Sequence, residues 1–166
     1  MNFLSIDCST DLGSLFVKYE NKTFSKVLQS DKYNNDLLMK QILDFFDKNV
    51  LNFDNISEIF VNQGPGNFSG LRGSLATAKG ISISKNIRLV GYDKFIWACG
   101  KFLNEKYPIY CFTKFREEHF VKKFDFNLKT ASKVKKVSED EIIKNYKNKF
   151  KVFLNNEIKY FNKKLI

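Results

Sequence analysis

The sequence GPGNFSGLRGSLATAKGIS, Gly64–Ser82, decides how this 166-residue chain is read. An apolar strand, Ile56–Val61, runs into it, and a helix of about Phe68–Ser84 leaves it. Gly64 and Gly66 permit backbone angles closed to other residues, and Pro65 stiffens the turn between them. No Gly-Lys-Ser/Thr triplet follows the glycines, so this is not a Walker A loop, and the GxGxxG of a dinucleotide fold is absent. What remains is a strand-to-helix turn. Either its helix N-terminus holds an anion, or it is a tight structural turn opening a close-packed helix. Gly70, Gly73, Ser74, Thr77 and Gly80 give that helix one face of small residues. Such a face lets a second helix approach closely, although each interior Gly costs about 1 kcal/mol of helix propensity.

Working outward, three strands open the chain: Asn2–Asp7, Gly13–Tyr19 and the alternating Lys22–Leu28. Turn residues at Asp11–Gly13 and Glu20–Asn21 separate them, the second pair suiting a tight hairpin. An amphipathic helix follows over roughly Asn34–Asn49, with Asn34 or Asn35 as its cap. Leu38, Ile42, Phe45 and Phe46 recur at helical spacing. Ile87–Gly91 is a fifth strand, and Tyr92–Asn104 contains a third helix. The order β-β-β-α-β-α-β-α indicates an α/β layer fold with a mixed sheet. After Pro108 the pattern weakens. Ile109–Thr113 and His119–Phe126 read as a strand pair, and Lys129–Lys136 as an exposed lysine-rich stretch. Glu139–Asn145 reads as a short helix, Lys151–Leu154 as a short strand, and Glu157–Leu165 as a final helix.

Composition bounds the function. The net charge is +10, but 25 of the 28 basic residues are Lys, and Lys, Asn, Ile and Phe are abundant as AT-rich coding would make them. The charge is also uneven: residues 1–100 carry +1 and residues 101–166 carry +9. Three cysteines without CxxC spacing exclude a disulfide framework or zinc cluster and fit a reducing cytosol. No apolar run reaches the roughly 18 residues of a membrane span, and the apolar stretch after Met1 stops at Asp7, too early for a signal peptide.

GPGNFSGLR followed by LATAKG, with the IDCST start at Ile6–Thr10, strongly resembles the TsaB (YeaZ) family. Members are non-catalytic subunits of the bacterial machinery that places threonylcarbamoyl on tRNA adenosine 37. The resemblance covers roughly residues 2–102 and thins beyond Pro108. It departs at Asn34–Lys40, where the family's His-Ser-Glu-x-Leu-Leu-Pro type run has lost its His and Pro. It implies an actin-like ATPase (ASKHA, ribonuclease H-like) fold: a mixed sheet with helices on its faces, an N-terminal lobe of residues 1–102 and a reduced Lys-rich lobe of 103–166. It implies binding to a TsaD-type catalytic paralogue, with a TsaE-type ATPase joining the complex. ATP and a metal held by a His-x-x-x-His motif are then expected on the paralogue. This chain has a single His, His119, and cannot supply two such ligands. The family's paralogue contact uses the two helices corresponding to Asn34–Asn49 and Phe68–Ser84. That makes Leu38, Ile42, Phe45, Phe46, Gly70, Gly73, Ser74 and Thr77 candidate interface residues. The alternative for the apolar four is this chain's own core. The apolar side chains wrap more than half of the first helix, which fits two packing surfaces.

Two rival functions stay open. In actin-like ATPases and sugar kinases the first hairpin approaches a nucleotide phosphate, which would put Asp7 near Mg²⁺ and Ser9, Thr10 and Gly13 at the phosphate. The alternative there is an ordinary polar hairpin, with Gly64, Pro65 and Gly66 as a structural turn. The lysines of Lys122–Lys164, interleaved with Phe124, Phe126, Tyr146, Phe150 and Phe153, also suit weak RNA binding through phosphate contact and base stacking. No catalytic residue is assigned to this chain. A homodimer through the same helices covers the apolar face when the paralogue is missing.

Overall fold

β1 (Phe3–Asp7), β2 (Ser14–Tyr19) and β3 (Lys22–Val27) form an antiparallel meander. Glu20, with φ of 53°, makes its second turn. The computed structural model describes residues 1–28, 37–103, 106–115 and 117–154. The expected cap at Asn34 or Asn35 and the Glu157–Leu165 helix lie outside them. β4 (Glu58–Asn62) joins β1 in parallel and β5 (Arg88–Tyr92) joins β4 in parallel, giving the sheet order β3-β2-β1-β4-β5. This is the mixed sheet that the element order implied.

Alternation decides which face of that sheet is packed. Leu4, Ile6, Leu15, Val17, Ile59 and Val61 are buried and share one face. Against them lie α1 (Leu37–Lys48), through Leu38, Ile42, Phe45 and Phe46, and α2 (Phe68–Lys85), through Ala78 and Ile81. Phe46 stacks on Phe53 of a following 3-10 turn with ring centroids 3.9 Å apart. Each such side chain, fully buried, contributes roughly 1.5–3 kcal/mol. On the opposite face Phe3 meets Phe16 and Phe60 at 5.8 and 5.2 Å. α2 is bounded by local chemistry. Asn67 Oδ1 accepts from Gly70 N at 3.2 Å, and Asn86 closes the helix in the left-handed conformation.

The chain divides into two compact units, Met1–Asp93 and Lys94–Ile166. α3 (Lys94–Cys99), which the sequence grouped with the first lobe, counts with the second unit because Phe95 and Cys99 enter its core. That unit is built on a second sheet of order β8-β7-β6-β9: β6 (Ile109–Phe115), β7 (Glu118–Phe124), β8 (Lys135–Val137) and β9 (Phe150–Phe153). Ile109, Cys111, Phe124 and Val152 pack with α3 on one face. Phe112, Val121 and Val137 pack with Ile142 of α4 (Glu139–Asn145) on the other. β8 begins in the last two residues of the stretch read as lysine-rich and exposed, Lys129–Lys136, and ends one residue beyond it. Lys135 and Lys136 are exposed as expected, but Val137 is buried, so the segment pairs as a short edge strand. α4 carries a capping box, Glu141 N donating to Ser138 Oγ at 3.2 Å and Ser138 N to Glu141 Oε2 at 2.7 Å.

Candidate functional site

The C-terminal ends of β1 and β4 bring the two glycine-containing loops of the first unit together. Asp7 ends β1. Its Oδ1 accepts from Ser9 N at 2.8 Å and its Oδ2 from Asn62 Nδ2 at 2.9 Å. Asn62 Nδ2 also reaches Ser9 Oγ at 3.2 Å, and Asn62 Oδ1 accepts from Gly64 N at 2.8 Å. Ser9 and Asn62 are buried. Ser9 O accepts from Asn67 N at 2.8 Å, and Thr10 Oγ1 turns back to Leu12 O at 2.6 Å. Asn62 is the residue that the sequence reading missed. The available signal was a polar side chain ending an apolar strand two residues before the Gly64-Pro65-Gly66 turn.

The glycines serve this closure. A Cβ on Gly66 would stand 2.3 Å from Ser9 O, and one on Gly70 would stand 2.1 Å from Cys8 O. Gly13 is close to Leu28 and to Cys8 Sγ. Gly64 has φ of 99° and its peptide bond to Pro65 is cis. Hairpin and turn therefore interlock backbone on backbone. Both oxygens of the Asp7 carboxylate are committed to protein donors, and Ser9 and Thr10 bond within the chain. Among the described residues no group of three His, Cys, Asp or Glu side chains is arranged for a metal.

Cys8 sits in the same junction. Burial, and then the neighbouring Asp7 carboxylate, push its thiol from 9.0 up to about 11. A folded pKa above the unfolded one means that the contribution to stability is complete below about pH 9 and is lost as pH rises toward 11. Thermal melts of wild type and Cys8→Ser should therefore diverge over that window and run parallel below it. At pH 8 Cys8 is expected to react with a maleimide far more slowly than a free thiol. Ordinary reactivity in the native chain would contradict the packing described.

The second candidate region is the outer face of α1 and α2. All four predicted α1 contact residues, Leu38, Ile42, Phe45 and Phe46, are buried in the first unit's own core, the alternative that the sequence left open for them. The apolar surface of α1 that stays outside is Met39, 38% exposed, and Leu43, 43% exposed. On α2, Gly70 faces Cys8 O and Ser74 is fully buried with its Oγ bonded to Leu71 O, so neither faces outward. Gly73 is half-buried. Thr77 does reach the outside. With Met39, Gly80, Ile81 and Ser84 it lines an apolar groove of about 310 Å³. Nothing stands within 4 Å of where a Gly80 Cβ would be, and Ile83, three residues on, is 82% exposed. The small-residue face of α2 is thus divided, its N-terminal part packing on the β1–β2 loop and its C-terminal part open.

Known proteins share both features of sequence and fold. The family model described as TsaD, tRNA N6-adenosine threonylcarbamoyltransferase, matches residues 29–114, just over half of the chain. A tRNA threonylcarbamoyladenosine biosynthesis protein TsaB from Buchnera aphidicola is 33% identical over 86 residues, covering 51% of this chain and 38% of that protein. The matched stretch is thus well under half the length of that relative. YeaZ from Pseudomonas aeruginosa superposes with a TM-score of 0.67 over 82% of this chain and 67% of its own, at 15% identity. A second Pseudomonas aeruginosa structure, described as an uncharacterized protein with similarity to peptidase YeaZ, also gives 0.67, over 82% and 66%. The fold is the actin-like, ribonuclease H-like α/β fold.

Proposed function

Because this chain belongs to the TsaD family of tRNA N6-adenosine threonylcarbamoyltransferases, on its TsaB (YeaZ) side, we propose that it is a non-catalytic subunit for threonylcarbamoylation of adenosine 37 in tRNA. It acts in the cytoplasm by binding a TsaD-type catalytic paralogue, which carries the ATP chemistry and the metal, with a TsaE-type ATPase joining them. One observation carries this reading. The apolar residues of α1 are split between two destinations, and one that stays outside, Met39, lines with Thr77, Gly80, Ile81 and Ser84 an open groove across α1 and α2. An exposed apolar helix pair of this kind is suited to a second helix pair. Gly80 lets the partner backbone come close, and Met39 supplies an adaptable side chain to fill the contact. A second copy of this chain competes for the same groove when the paralogue is absent.

The loop chemistry supports the non-catalytic half of the proposal. Asp7 spends its carboxylate on Ser9 and Asn62, which fixes the end of β1 against the start of α2. Those contacts hold the start of α2, the helix that carries Thr77 and Gly80, in place. The test is reconstitution of the modification with the catalytic and ATPase subunits, with and without this chain. Threonylcarbamoyladenosine is expected to fall to background when the chain is left out. Full modification without it would overturn the reading.

A further inference from the structure

We propose that the second unit carries an RNA-binding surface at the β7–β8 turn, where a run of exposed lysines follows one exposed aromatic side chain at the tip. It belongs to a different unit from the α1–α2 groove and does not depend on it. Charge is sorted along β7. At its start lie Glu117 and Glu118, and α4, which follows β8, brings Glu139 to 3.7 Å from His119. Lys136 pairs with Glu118 at that end. The other end is basic. Lys122 and Lys123 lie in β7, and the returning segment places Ala131 and Ser132 against Lys123, with bonds of 3.0 Å to its backbone O and from its backbone N. Lys129, Lys133 and Lys135 come with that segment and are exposed.

The only acid between His119 and Ser138 is Asp125, and its charge is spent inside the turn. Its Oδ1 accepts from Asn127 N at 3.0 Å and from Lys129 N at 2.7 Å. Asp125 N and O bond Lys129 O and Leu128 N at 3.0 and 3.1 Å. Leu128, at φ of 56°, packs inward. These bonds hold Phe126 at the tip, 52% exposed, with Asn127 exposed beside it.

Lysines without arginine suit the diffuse charge of a phosphodiester backbone better than the carboxylates of an acidic peptide, which favour the arginine fork. An exposed ring on a backbone-bonded polar turn suits an unpaired base. A membrane surface would call for further apolar side chains in the turn, and Asn127 stands there instead. The ligand class is therefore RNA with unpaired bases.

The test is fluorescence anisotropy of the full chain with a labelled transfer RNA transcript, a blunt RNA duplex, and vesicles of phosphatidylserine and phosphatidylcholine. Wild-type affinity for the transcript is expected to fall roughly 30-fold between about 50 and 200 mM salt. Lys129→Glu/Lys133→Glu/Lys135→Glu should weaken it at least tenfold and lower the salt slope by about two to three. Phe126→Ala should weaken the transcript at least fivefold and leave the duplex unchanged. The same charge change on the first unit, Lys18→Glu/Lys22→Glu/Lys48→Glu, should have little effect. Equal loss from that control, unchanged binding by the second-unit triple variant or by Phe126→Ala, or binding to vesicles without binding to RNA would each overturn the proposal. Circular dichroism of every variant checks that the fold persists.

Discussion

Met39→Asp combined with Gly80→Asp is expected to lower affinity for a TsaD-type partner at least 100-fold while leaving the isolated chain folded. Both positions line the groove, and both are open in the free chain, Met39 at 38% exposure and Gly80 with clear space around its Cα. Charges at solvated helix positions cost the monomer little, because exposed substitutions usually fall within about 0.5 kcal/mol. In a complex the same carboxylates are desolvated without partners, which costs about 2–5 kcal/mol each when truncation or burial leaves a charge unpaired. Phe45→Ala is the converse. Phe45 is buried among core residues, so its truncation should cost about 3–5 kcal/mol of stability and act on binding only through unfolding. Melts and titrations of both variants separate the two effects. If the double Asp variant melts well below wild type, the groove belongs to the core; if it binds as wild type does, the partner sits elsewhere.

Gly70→Ala is expected to be strongly damaging for the addition of a single methyl group. Its Cβ would stand 2.1 Å from Cys8 O, and the obstruction is backbone, not the end of a flexible side chain. Relief requires the β1–β2 loop to move off the start of α2. That movement breaks the Asn67 N to Ser9 O bond and disturbs the Asp7–Asn62–Ser9 set. Overpacking of this kind costs about 3 kcal/mol. For a chain of this size that is a drop of roughly 6–12 °C in melting temperature. Gly80→Ala is the matched control in the same helix. It meets open space and should stabilise the free chain by up to about 1 kcal/mol through helix propensity. Equal melting temperatures for the two alanine variants would mean that hairpin and turn do not interlock as described.

The strand and helix order was legible because its signals are local. Glu20–Asn21 and Gly64–Gly66 mark turns by residue type, and the apolar spacing of Leu38, Ile42 and Phe45 marks a helix. The assignment of faces was not. Leu37, Leu38, Met39, Ile42, Leu43, Phe45 and Phe46 wrap more than half of α1, so periodicity alone does not choose the side that meets the sheet. The neighbours of these residues held the answer. Met39 and Leu43 sit beside Lys40, Asp44 and Asp47, and therefore lie toward solvent, whereas Ile42, Phe45 and Phe46 lie away from them. The glycines of α2 were read as one stripe because spacing does not show what stands opposite each of them. Gly70 meets a carbonyl from the first hairpin, a contact across 62 residues of sequence, and Gly80 meets open space. The role of Asn62 is hidden for the same reason, since its partners Asp7 and Ser9 come from a different strand end. β8 was missed because two of its three residues are exposed lysines, which strand propensity disfavours, and pairing with β7 overrides that preference.

The central claim is association through the open face of α1 and α2. Its most direct test is sedimentation velocity of this chain mixed with a TsaD-type catalytic subunit, titrated across the micromolar range. A one-to-one complex with a Kd of about 1 μM or tighter, lost in the Met39→Asp/Gly80→Asp chain, is the predicted result. Two species sedimenting independently at tens of micromolar, or a complex that the double variant leaves intact, would contradict it.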